Sequence, residues 1–279
     1  MLTADLHIHT TASDGRLSPT DIVKEAIRAK LSYIAITDHD TVDGLLQLNE
    51  MTQSIPDSLK IIPGIELSTD LPENEVHILG YHIDIHHPEL RNQLNILINH
   101  RHERAKQMID KLNQLGYSIT YERVVELAVY ATAIGRPHVA KALVEKKFFS
   151  TISDVFTTLL SKDGPAYVPH YKLTPKQVID LIKKAGGVPV LAHPGLVGSD
   201  DIVLDVIHSG ICGLEVYHPT HDERQIQKYH EMAKQYHLKI TGGSDFHAIP
   251  ARFPKQLGIF TVPADLACEL QKPSTHECS

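Results

Sequence analysis

Short apolar runs alternate with helical segments along most of this 279-residue chain, and almost every run ends in histidine, aspartate or glutamate. The first run leads to His7 and His9, the next two end at His39 and Glu66, and a later run ends at His193. Alternation of strands and helices is typical of a parallel sheet, whose strands all end on the same side. The pattern therefore predicts an α/β fold with polar, chemically competent side chains gathered at one end of the sheet.

The connection between Glu66 and Val76 departs from this alternation. It contains Pro72 and a short polar stretch, and it is too short for a crossover helix, since parallel neighbours need about a dozen residues or more. We therefore expect the strand over 76–84 to run antiparallel to the strand before it. His77, at the start of that strand, would then lie at the same end of the sheet as Glu66.

The middle of the chain changes character. Residues 89–115 have the periodicity of one long helix that ends at Gly116, and shorter helical segments follow near 121–130, 137–147 and 152–161. Strand–helix alternation then resumes at Thr174. We predict a distorted TIM-like (β/α)7 barrel made of residues 1–87 and 171–265, a helical insert over 88–170 and a polar tail over 266–279. Such barrels carry their chemistry at the carboxyl ends of the strands.

Composition narrows the classes of protein. The net charge of −7 argues against general, sequence-independent binding of nucleic acid. Cys212, Cys268 and Cys278 fit neither a disulfide framework nor a CxxC site, which favours free thiols. No apolar run approaches the ~18 residues of a membrane span, and the N-terminal strand leaves no room for a signal peptide. We expect a soluble cytoplasmic protein with no membrane association and no obligate protein partner.

Two pairs of side chains have the spacing of metal ligands. His7 and His9 are two residues apart on a predicted strand, so both point to one face and can share one ion. Asp245 and His247 repeat this spacing after a Gly-Gly-Ser strand end. An isolated pair of this kind is as often two packed histidines lining a strand. The recurrence of the pattern at other strand ends favours ligands.

Further metal-capable residues also have ordinary explanations when each is considered alone. Glu66 could be a surface acid at a strand end, and Asp14 beside Gly15 could be a turn residue. Taken jointly, the clusters predict a multinuclear metal site. Nine side chains make up the predicted ligand set: His7, His9, Asp14, His39, Glu66, His77, His193, Asp245 and His247.

The order and spacing of these clusters resemble the polymerase-and-histidinol-phosphatase (PHP) family over roughly residues 3–250. The resemblance rests on Asp5-Leu-His-Ile-His-Thr-Thr-Ala-Ser-Asp14, Ile36-Thr-Asp-His39, Pro63-Gly-Ile-Glu66, His77-Ile-Leu-Gly, Ala192-His193-Pro and Gly243-Ser-Asp-Phe-His247. Within the family, the helical insert and the segment Gly135-Arg-Pro-His138 are most similar to phosphatases acting on nucleoside 3′,5′-bisphosphates. One such group is also described as a 5′→3′ exoribonuclease, ribonuclease AM.

The resemblance implies three metal positions, with these ligands: His7, His9, Glu66 and Asp245 for the first; Glu66, His77 and His193 for the second; Asp14, His39 and His247 for the third. Imidazole and carboxylate without thiolate suit Mn²⁺, Fe²⁺ or Zn²⁺, and the sequence does not choose among two to three such ions. Three carboxylates against three divalent ions leave the ligand shell at about +3, which favours an anionic guest such as phosphate.

We therefore expect metal-assisted hydrolysis of a phosphoester, with water activated between two ions. His193 and Asp245 are predicted to be catalytic as well as ligands, while the acid for the leaving group is not identified. Asp38 and Asp40, on either side of His39, fit better as supporting residues than as ligands.

The insert offers candidates for substrate binding. Arg136 and His138 lie in a turn before a predicted helix, and guanidinium matches phosphate with two parallel hydrogen bonds. Arg101 and Arg104 share one face of the long helix at the i, i+3 spacing, although a solvated basic stripe explains them equally well.

The leading hypothesis is a phosphatase that removes the 3′-phosphate from nucleoside 3′,5′-bisphosphates, with 5′→3′ exonuclease action on short RNA as a further activity. The partner would then be a small phosphorylated nucleotide or the 5′ end of an RNA. Two alternatives stay open. One is a phosphatase for another small phosphomonoester, such as a 5′-nucleotide or histidinol phosphate, and the other is a non-catalytic metal-binding module.

Overall fold

The computed structural model describes residues 2–49, 55–71, 74–128, 134–169, 171, 173–250 and 252–271. The chain divides into two compact units, of which one comprises Met1–Asn92 with Lys172–Ser279 and the other comprises Gln93–Tyr171. The first unit holds the sheet, and the second is helical. The predicted borders of the insert, at 88 and 170, lie close to this division, and the long helix that we expected begins in the first unit at Pro88.

The sheet of the first unit has eight strands in the order β7-β6-β5-β4-β3-β2-β1-β8. It nearly closes on itself, because Ile8 at the end of β1 bridges Phe246 just beyond β7, and the His9 amide donates to the Phe246 carbonyl at 2.9 Å. The predicted α/β, TIM-like barrel is confirmed. The strands are β1 (Thr3–Ile8), β2 (Tyr33–Ile36), β3 (Lys60–Leu71), β4 (Asn74–Tyr81), β5 (Val188–Leu191), β6 (Gly213–Tyr217), β7 (Lys239–Gly242) and β8 (Val262–Pro263).

Two features distinguish this sheet from a regular parallel barrel. Strand β4 runs antiparallel to both β3 and β5, as the short connection after Glu66 predicts. In the register of β3 with β4, Ser68 pairs with His77, so the start of β4 lies beside the end of β3 that carries Glu66. The two-residue strand β8 is the second feature, and it pairs antiparallel with β1 at the other edge.

Helices of the first unit pack against its sheet, as α7 does on β4 and β5 and α9 does on β6. Helix α1 starts where the sequence predicts, since the Ser18 hydroxyl accepts from the Asp21 amide at 3.2 Å and Pro19 occupies the first turn. None of the described helices combines the length and the hydropathy needed to cross a bilayer. In chain order the helices are α1 (Pro19–Arg28), α2 (Asp43–Asn49), α3 (Pro88–Gln114), α4 (Tyr121–Ala128), α5 (Arg136–Glu145), α6 (Ile152–Val155), α7 (Pro175–Lys184), α8 (Asp200–His208), α9 (Glu223–Gln235) and α10 (Ala264–Leu270).

The helical unit has its own hydrophobic core. Apolar residues of α3, α4 and α5 pack together with the short α6, which continues as one wide π-helical turn over Phe156–Leu160. Buried members include Met108, Val124, Leu143 and Leu160. A separate core explains how this stretch can fold as a compact unit between two parts of the barrel.

One expectation about the C-terminal region needs correction. We expected a tail from residue 266, but Ala267 and Leu270 are buried at the i, i+3 spacing and belong to α10. Cys268 is an exposed free thiol, as expected. Residues 272–279, including Cys278, lie outside the described part.

Candidate metal centre

The candidate ligands lie at the carboxyl ends of the parallel strands and at the start of β4. His193 lies two residues after the end of β5 and Asp245 lies three after the end of β7, and both have positive φ, at 27° and 48°. Left-handed backbone is costly for a residue with a Cβ and is concentrated at functional sites. Gly243, just before Asp245, allows a close approach, since a Cβ there would stand 2.4 Å from the backbone nitrogen of His7. These local conformations turn the side chains toward the barrel mouth.

Glu66 lies at the middle of the centre. Its Oε2 atom is 3.2 Å from His7 Nε2, 3.2 Å from His9 Nε2 and 3.1 Å from His39 Nδ1. The Glu66 carboxylate is only 1% exposed, so these three contacts lie in the protein interior. One oxygen of Glu66 therefore faces three ring nitrogens at distances that a shared cation could bridge.

The second oxygen of Glu66 faces a different pair of histidines. Its Oε1 atom is 2.8 Å from His77 Nδ1 and 3.1 Å from His193 Nε2. The antiparallel β4 is what brings His77 to this position. A carboxylate whose two oxygens face separate sets of imidazoles has the geometry of a bridging ligand between two ions.

Asp245 joins the first group. Its Oδ1 atom lies 3.2 Å from His9 Nε2 and 3.6 Å from His7 Nε2. Its Oδ2 atom points the other way and accepts from Arg252 Nη2 at 2.5 Å, with His218 Nε2 at 3.6 Å. The inner oxygen faces imidazoles, and the outer one faces a cation that is partly exposed to solvent.

Asp14 and His247 form the far side of the centre. Asp14 Oδ1 lies 3.2 Å from His247 Nε2 and 3.9 Å from His9 Nδ1. The ligand atoms of His9, Asp14, His39 and His247 all lie within 4.8 Å of one another. His39 thus lies between this group and the group around Glu66, whereas the family resemblance implied that it serves the third position alone.

All nine sequence-predicted residues therefore meet at one place, and their chemistry fits divalent cations. The set offers imidazole nitrogens and carboxylate oxygens without a thiolate. Three buried atoms aimed into the centre, His9 Nδ1, Asp14 Oδ1 and His39 Nδ1, have no hydrogen-bond partner among the described residues. Buried polar atoms without partners are costly, and coordination of a cation would satisfy them.

The pKa values of these side chains reflect how closely the carboxylates and imidazoles lie together. Burial acts to raise the pKa of Glu66, but the surrounding imidazoles hold this pKa well below its usual range. Burial lowers the pKa of His39 to about 4 despite the nearby carboxylates. For His9, burial acts to lower the pKa, and hydrogen bonds to Asp245 and Glu66 overcome it and raise the pKa to about 10. The carboxylates are therefore ionised, and His9 carries the proton that a cation would displace.

Glu215 supports the centre from within β6, and it was not among the residues predicted from the sequence. Its side chain is fully buried, His7 Nδ1 lies 2.9 Å from its Oε1, and the His193 amide donates to its Oε2 at 2.7 Å. Glu215 therefore fixes the ring of one candidate ligand and the backbone of another. The sequence does contain a sign of this role, because an acid inside the apolar run Gly213-Leu-Glu-Val-Tyr217 must be paired when buried.

Asp38, just after β2, and Asp5, within β1, act similarly. Asp38 accepts from the Thr10 amide and hydroxyl, both at 2.7 Å, and from the Ser13 hydroxyl at 2.6 Å. Asp5 accepts from the Ser244 amide at 2.9 Å, and its burial raises its pKa to about 6. Both carboxylates hold the loops that carry candidate ligands.

The substrate-binding candidates of the helical unit divide into two groups. Arg104 is buried, donates to the Val168 carbonyl at 2.7 Å and lies over the ring of Tyr167, which is a packing arrangement. The other three meet around Gly135. Arg101 Nη1 is 3.4 Å from where a Cβ on Gly135 would stand, and the Gly135 amide donates to His138 Nδ1 at 3.0 Å.

Arg136 follows Gly135 directly at the start of α5. Its guanidinium lies 5.6 Å from the centre of the Phe156 ring, so the side chain is held against an aromatic face of the same unit.

A nearly closed, TIM-like barrel with such a centre at its mouth defines the class of metal-dependent hydrolases. Comparison with known proteins makes the assignment more particular. The PHP domain model matches residues 5–185, and the chain belongs to this family. The protein is accordingly a metal-dependent phosphoesterase.

Relatives of this chain are named for several different activities. The 5′-3′ exoribonuclease Rnm of Escherichia coli is 35% identical over 87% of this chain and 84% of its own length. The 3′,5′-nucleoside bisphosphate phosphatase of Chromobacterium violaceum is 30% identical over 89% of this chain and 88% of its own length. A phosphoribosyl 1,2-cyclic phosphate 1,2-diphosphodiesterase of Eggerthella lenta is 30% identical over 93% of this chain and 99% of its own length.

Solved structures agree with the fold. A metal-dependent phosphoesterase described from Bifidobacterium adolescentis superposes with a TM-score of 0.85 at 31% identity, and the match covers 96% of this chain and 94% of that one. A protein from Chromobacterium violaceum, described as an amidohydrolase with bound sulfate, superposes with a TM-score of 0.81 at 28% identity over 98% of each chain.

Proposed function

We propose that this protein removes the 3′-phosphate from nucleoside 3′,5′-bisphosphates and also acts as a 5′→3′ exoribonuclease on short RNA, in the cytoplasm. Relatives described by each of these activities match most of the chain. The two reactions are chemically close, since both break a phosphoester on the 3′ side of a nucleotide that carries a 5′-phosphate. One site can therefore serve both.

The observation that carries the proposal is the position of Glu66 among the nine side chains that meet at one place. Its two oxygens face separate imidazole sets, with His39 on one side and His77 on the other. We propose two to three divalent ions, Mn²⁺, Fe²⁺ or Zn²⁺, held by the nine predicted ligands. Such a centre keeps a net positive charge after the carboxylates are counted, and it suits a phosphate guest.

When bound, the ions would supply Lewis acidity and lower the pKa of water. The residues of the chain hold the candidate ligands in place. Glu66 and Asp245 fix the distance between the candidate ligand sets, and Glu215 orients His7. We retain His193 and Asp245 as the proposed catalytic residues, because both combine a candidate ligand atom with left-handed backbone.

The helical unit would supply recognition of a second phosphate. Arg136 is our main candidate, with Arg101 and His138 beside it around Gly135. Arg104 is a weaker candidate than the sequence suggested, since it is buried against Val168 and Tyr167. A guanidinium that contacts the 5′-phosphate would separate bisphosphates from monophosphates.

The test compares turnover of four substrates by the Mn²⁺-loaded protein: a nucleoside 3′,5′-bisphosphate, a 5′-mononucleotide, a short 5′-phosphorylated RNA and a phosphoribosyl 1,2-cyclic phosphate. We expect the bisphosphate and the RNA to be preferred, and Arg136→Gln to reduce kcat/KM for the bisphosphate by about tenfold to a hundredfold. Arg123→Gln is the matched control, because Arg123 is exposed and already paired with Glu126 and Glu145.

Other outcomes would identify the alternatives. Equal rates on bisphosphate and monophosphate would favour a general phosphomonoesterase and remove the recognition role of Arg136. Preference for the cyclic phosphate would assign the activity of the Eggerthella lenta relative. Turnover that is lost in His9→Ala and Asp245→Ala while the fold is retained would support catalysis, and no turnover with any divalent ion would favour a binding module.

A further inference from the structure

His218 is a buried histidine at the barrel mouth that lies outside the nine predicted ligands. It follows β6 directly and is 3% exposed. Its ring centroid lies 5.4 Å from that of His193 and 6.4 Å from that of His7. A polar ring so placed shares the environment of the candidate ligands, although its ring nitrogens do not belong to any of the close ligand groups found among the described residues.

The hydrogen bonds of His218 fix which ring nitrogen carries a proton. The backbone amide of Thr220 donates to its Nδ1 atom at 3.2 Å, and the Thr220 hydroxyl lies 2.7 Å from the same atom. An Nδ1 atom that accepts from an amide leaves the ring hydrogen on Nε2. The Nε2–H group of His218 is therefore a hydrogen-bond donor.

This donor faces the outer oxygen of Asp245. Nε2 is buried and has no hydrogen-bond partner among the described residues, and its nearest charged neighbour is Asp245 Oδ2 at 3.6 Å. That separation is too long for a hydrogen bond. The same Asp245 oxygen accepts from Arg252, which is partly exposed. The unused N–H of His218 thus lies beside a cationic side chain, on the outer side of a candidate ligand.

His221, in the same loop, shows what a purely structural histidine looks like here. Its Nδ1 atom lies 2.9 Å from the Val216 carbonyl, and its Nε2 atom accepts from the Gly195 amide at 3.1 Å. Both ring nitrogens of His221 are used by the backbone. Only one ring nitrogen of His218 is used in this way, and its second nitrogen is available to a guest.

We propose that His218 contacts the substrate directly, by donating a hydrogen bond from Nε2 to an oxygen of the phosphoryl group bound beside Asp245. The proposal deepens the proposed function, since it takes a phosphate as the guest of the centre, but it does not depend on which nucleotide carries that phosphate. It makes His218 a catalytic residue in the sense of touching the reacting group.

Two substitutions separate this role from a structural one. The amide of His218→Asn stands where Nδ1 stands and can accept from Thr220, but it does not reach the position of Nε2. The amide of His218→Gln reaches the Nε2 position as a donor. We expect His218→Asn to weaken binding of inorganic phosphate to the Zn²⁺-loaded protein by about tenfold to a hundredfold, and His218→Gln to retain most of it.

Calorimetric titration with inorganic phosphate gives this readout without a substrate, so it stands even if the proposed nucleotide is wrong. Metal content, measured by mass spectrometry, should be unchanged in both variants. His230→Asn, an exposed histidine of α9, is the control for the substitution itself. Loss of an ion in either variant would show that His218 is a ligand and overturn the proposal.

The reverse order of effects would also overturn it. If His218→Asn binds phosphate like the wild type and His218→Gln does not, the Thr220 contact is what matters and the role is structural. If neither variant folds, an NMR measurement on the wild-type protein provides the test. In ¹⁵N-histidine-labelled, Zn²⁺-loaded protein, phosphate must shift the Nε2–H proton of His218, and an unmoved resonance contradicts the contact.

Discussion

At the scale of single residues, spacing identified the candidate ligands, whereas the residues that hold them were harder to find. Two residues on a strand share a face whatever the rest of the fold does, so His7 with His9 was evident from the sequence. Glu215 acts through His7, which is distant along the chain. The residue type of Glu215 was visible in the sequence, but the identity of its partner required the fold.

The buried carboxylate of Glu215 leads to a prediction about metal affinity. It meets two donors, the His7 ring and the His193 amide, with one oxygen for each. In Glu215→Gln the amide has a single oxygen, so one donor faces an NH₂ group, and the charge that supports His7 is lost. We expect metal affinity to fall by about tenfold to a hundredfold, measured by competition with a chromogenic chelator.

Two results around this substitution make the prediction decisive. Glu231→Gln, on the exposed face of α9, is the matched control and should leave metal affinity unchanged. Unaltered affinity in folded Glu215→Gln would mean that the contact with His7 only fills the barrel interior.

At the scale of elements, the lengths of the connections between strands were the best guide to the direction in which each strand runs. The stretch after Glu66 is too short for a crossover, and this alone predicted the antiparallel β4 and the position of His77. Helix α10 was missed because it is a short helix and because, in the stretch assigned to the tail, only Ala267 and Leu270 mark its buried side. Two apolar residues one turn apart are weak evidence for a packed helix until the surface that they cover is known.

Helix α10 should contribute to stability despite its length. Leu270 is 2% exposed and packs in the same core cluster as Leu6 and Val262. We expect Leu270→Ala to lower the free energy of unfolding by about 2–5 kcal/mol, measured by denaturant titration. Glu269→Ala, the exposed neighbour, should change it by less than about 0.5 kcal/mol. If Leu270→Ala lowers the free energy of unfolding as little as the control does, α10 does not contribute to stability.

At the scale of the whole molecule, the barrel class followed from strand–helix alternation, and the convergence of ligands followed from the barrel. The order of the strands, β7 to β1 with β8 at the edge, was not derivable, because β8 has only two residues, Val262 and Pro263. The assignment of substrate recognition to the helical unit stays a prediction. Sequence periodicity defines each unit but does not specify which phosphate Arg136 binds.

Metal binding should stabilise the whole protein and should do so more strongly as pH rises. Ions that bind the native state alone add stability, by about 2.7 kcal/mol at a concentration a hundredfold above Kd. In the metal-free protein, burial acts to lower the pKa of His9, but contacts with Asp245 and Glu66 raise it to about 10, so a cation must displace this proton. Protons therefore compete with the ion, and alkaline conditions favour the ion.

Thermal melts with and without Mn²⁺, at mildly acidic and mildly alkaline pH, measure this effect. We expect the metal-induced rise in Tm to be larger at the alkaline pH and to disappear on addition of a chelator. Glu66→Gln should show little rise at either pH, because it removes the charge between the two imidazole sets. A rise in Tm that is independent of pH would contradict the proton competition.

The bridge between Ile8 and Phe246 joins the first strand to a segment far along the chain, just beyond β7. Asp245 and His247 therefore reach the histidines of β1 only when the barrel nearly closes. A fragment that stops before residue 245 would lack these two donors and could not assemble the full candidate ligand set.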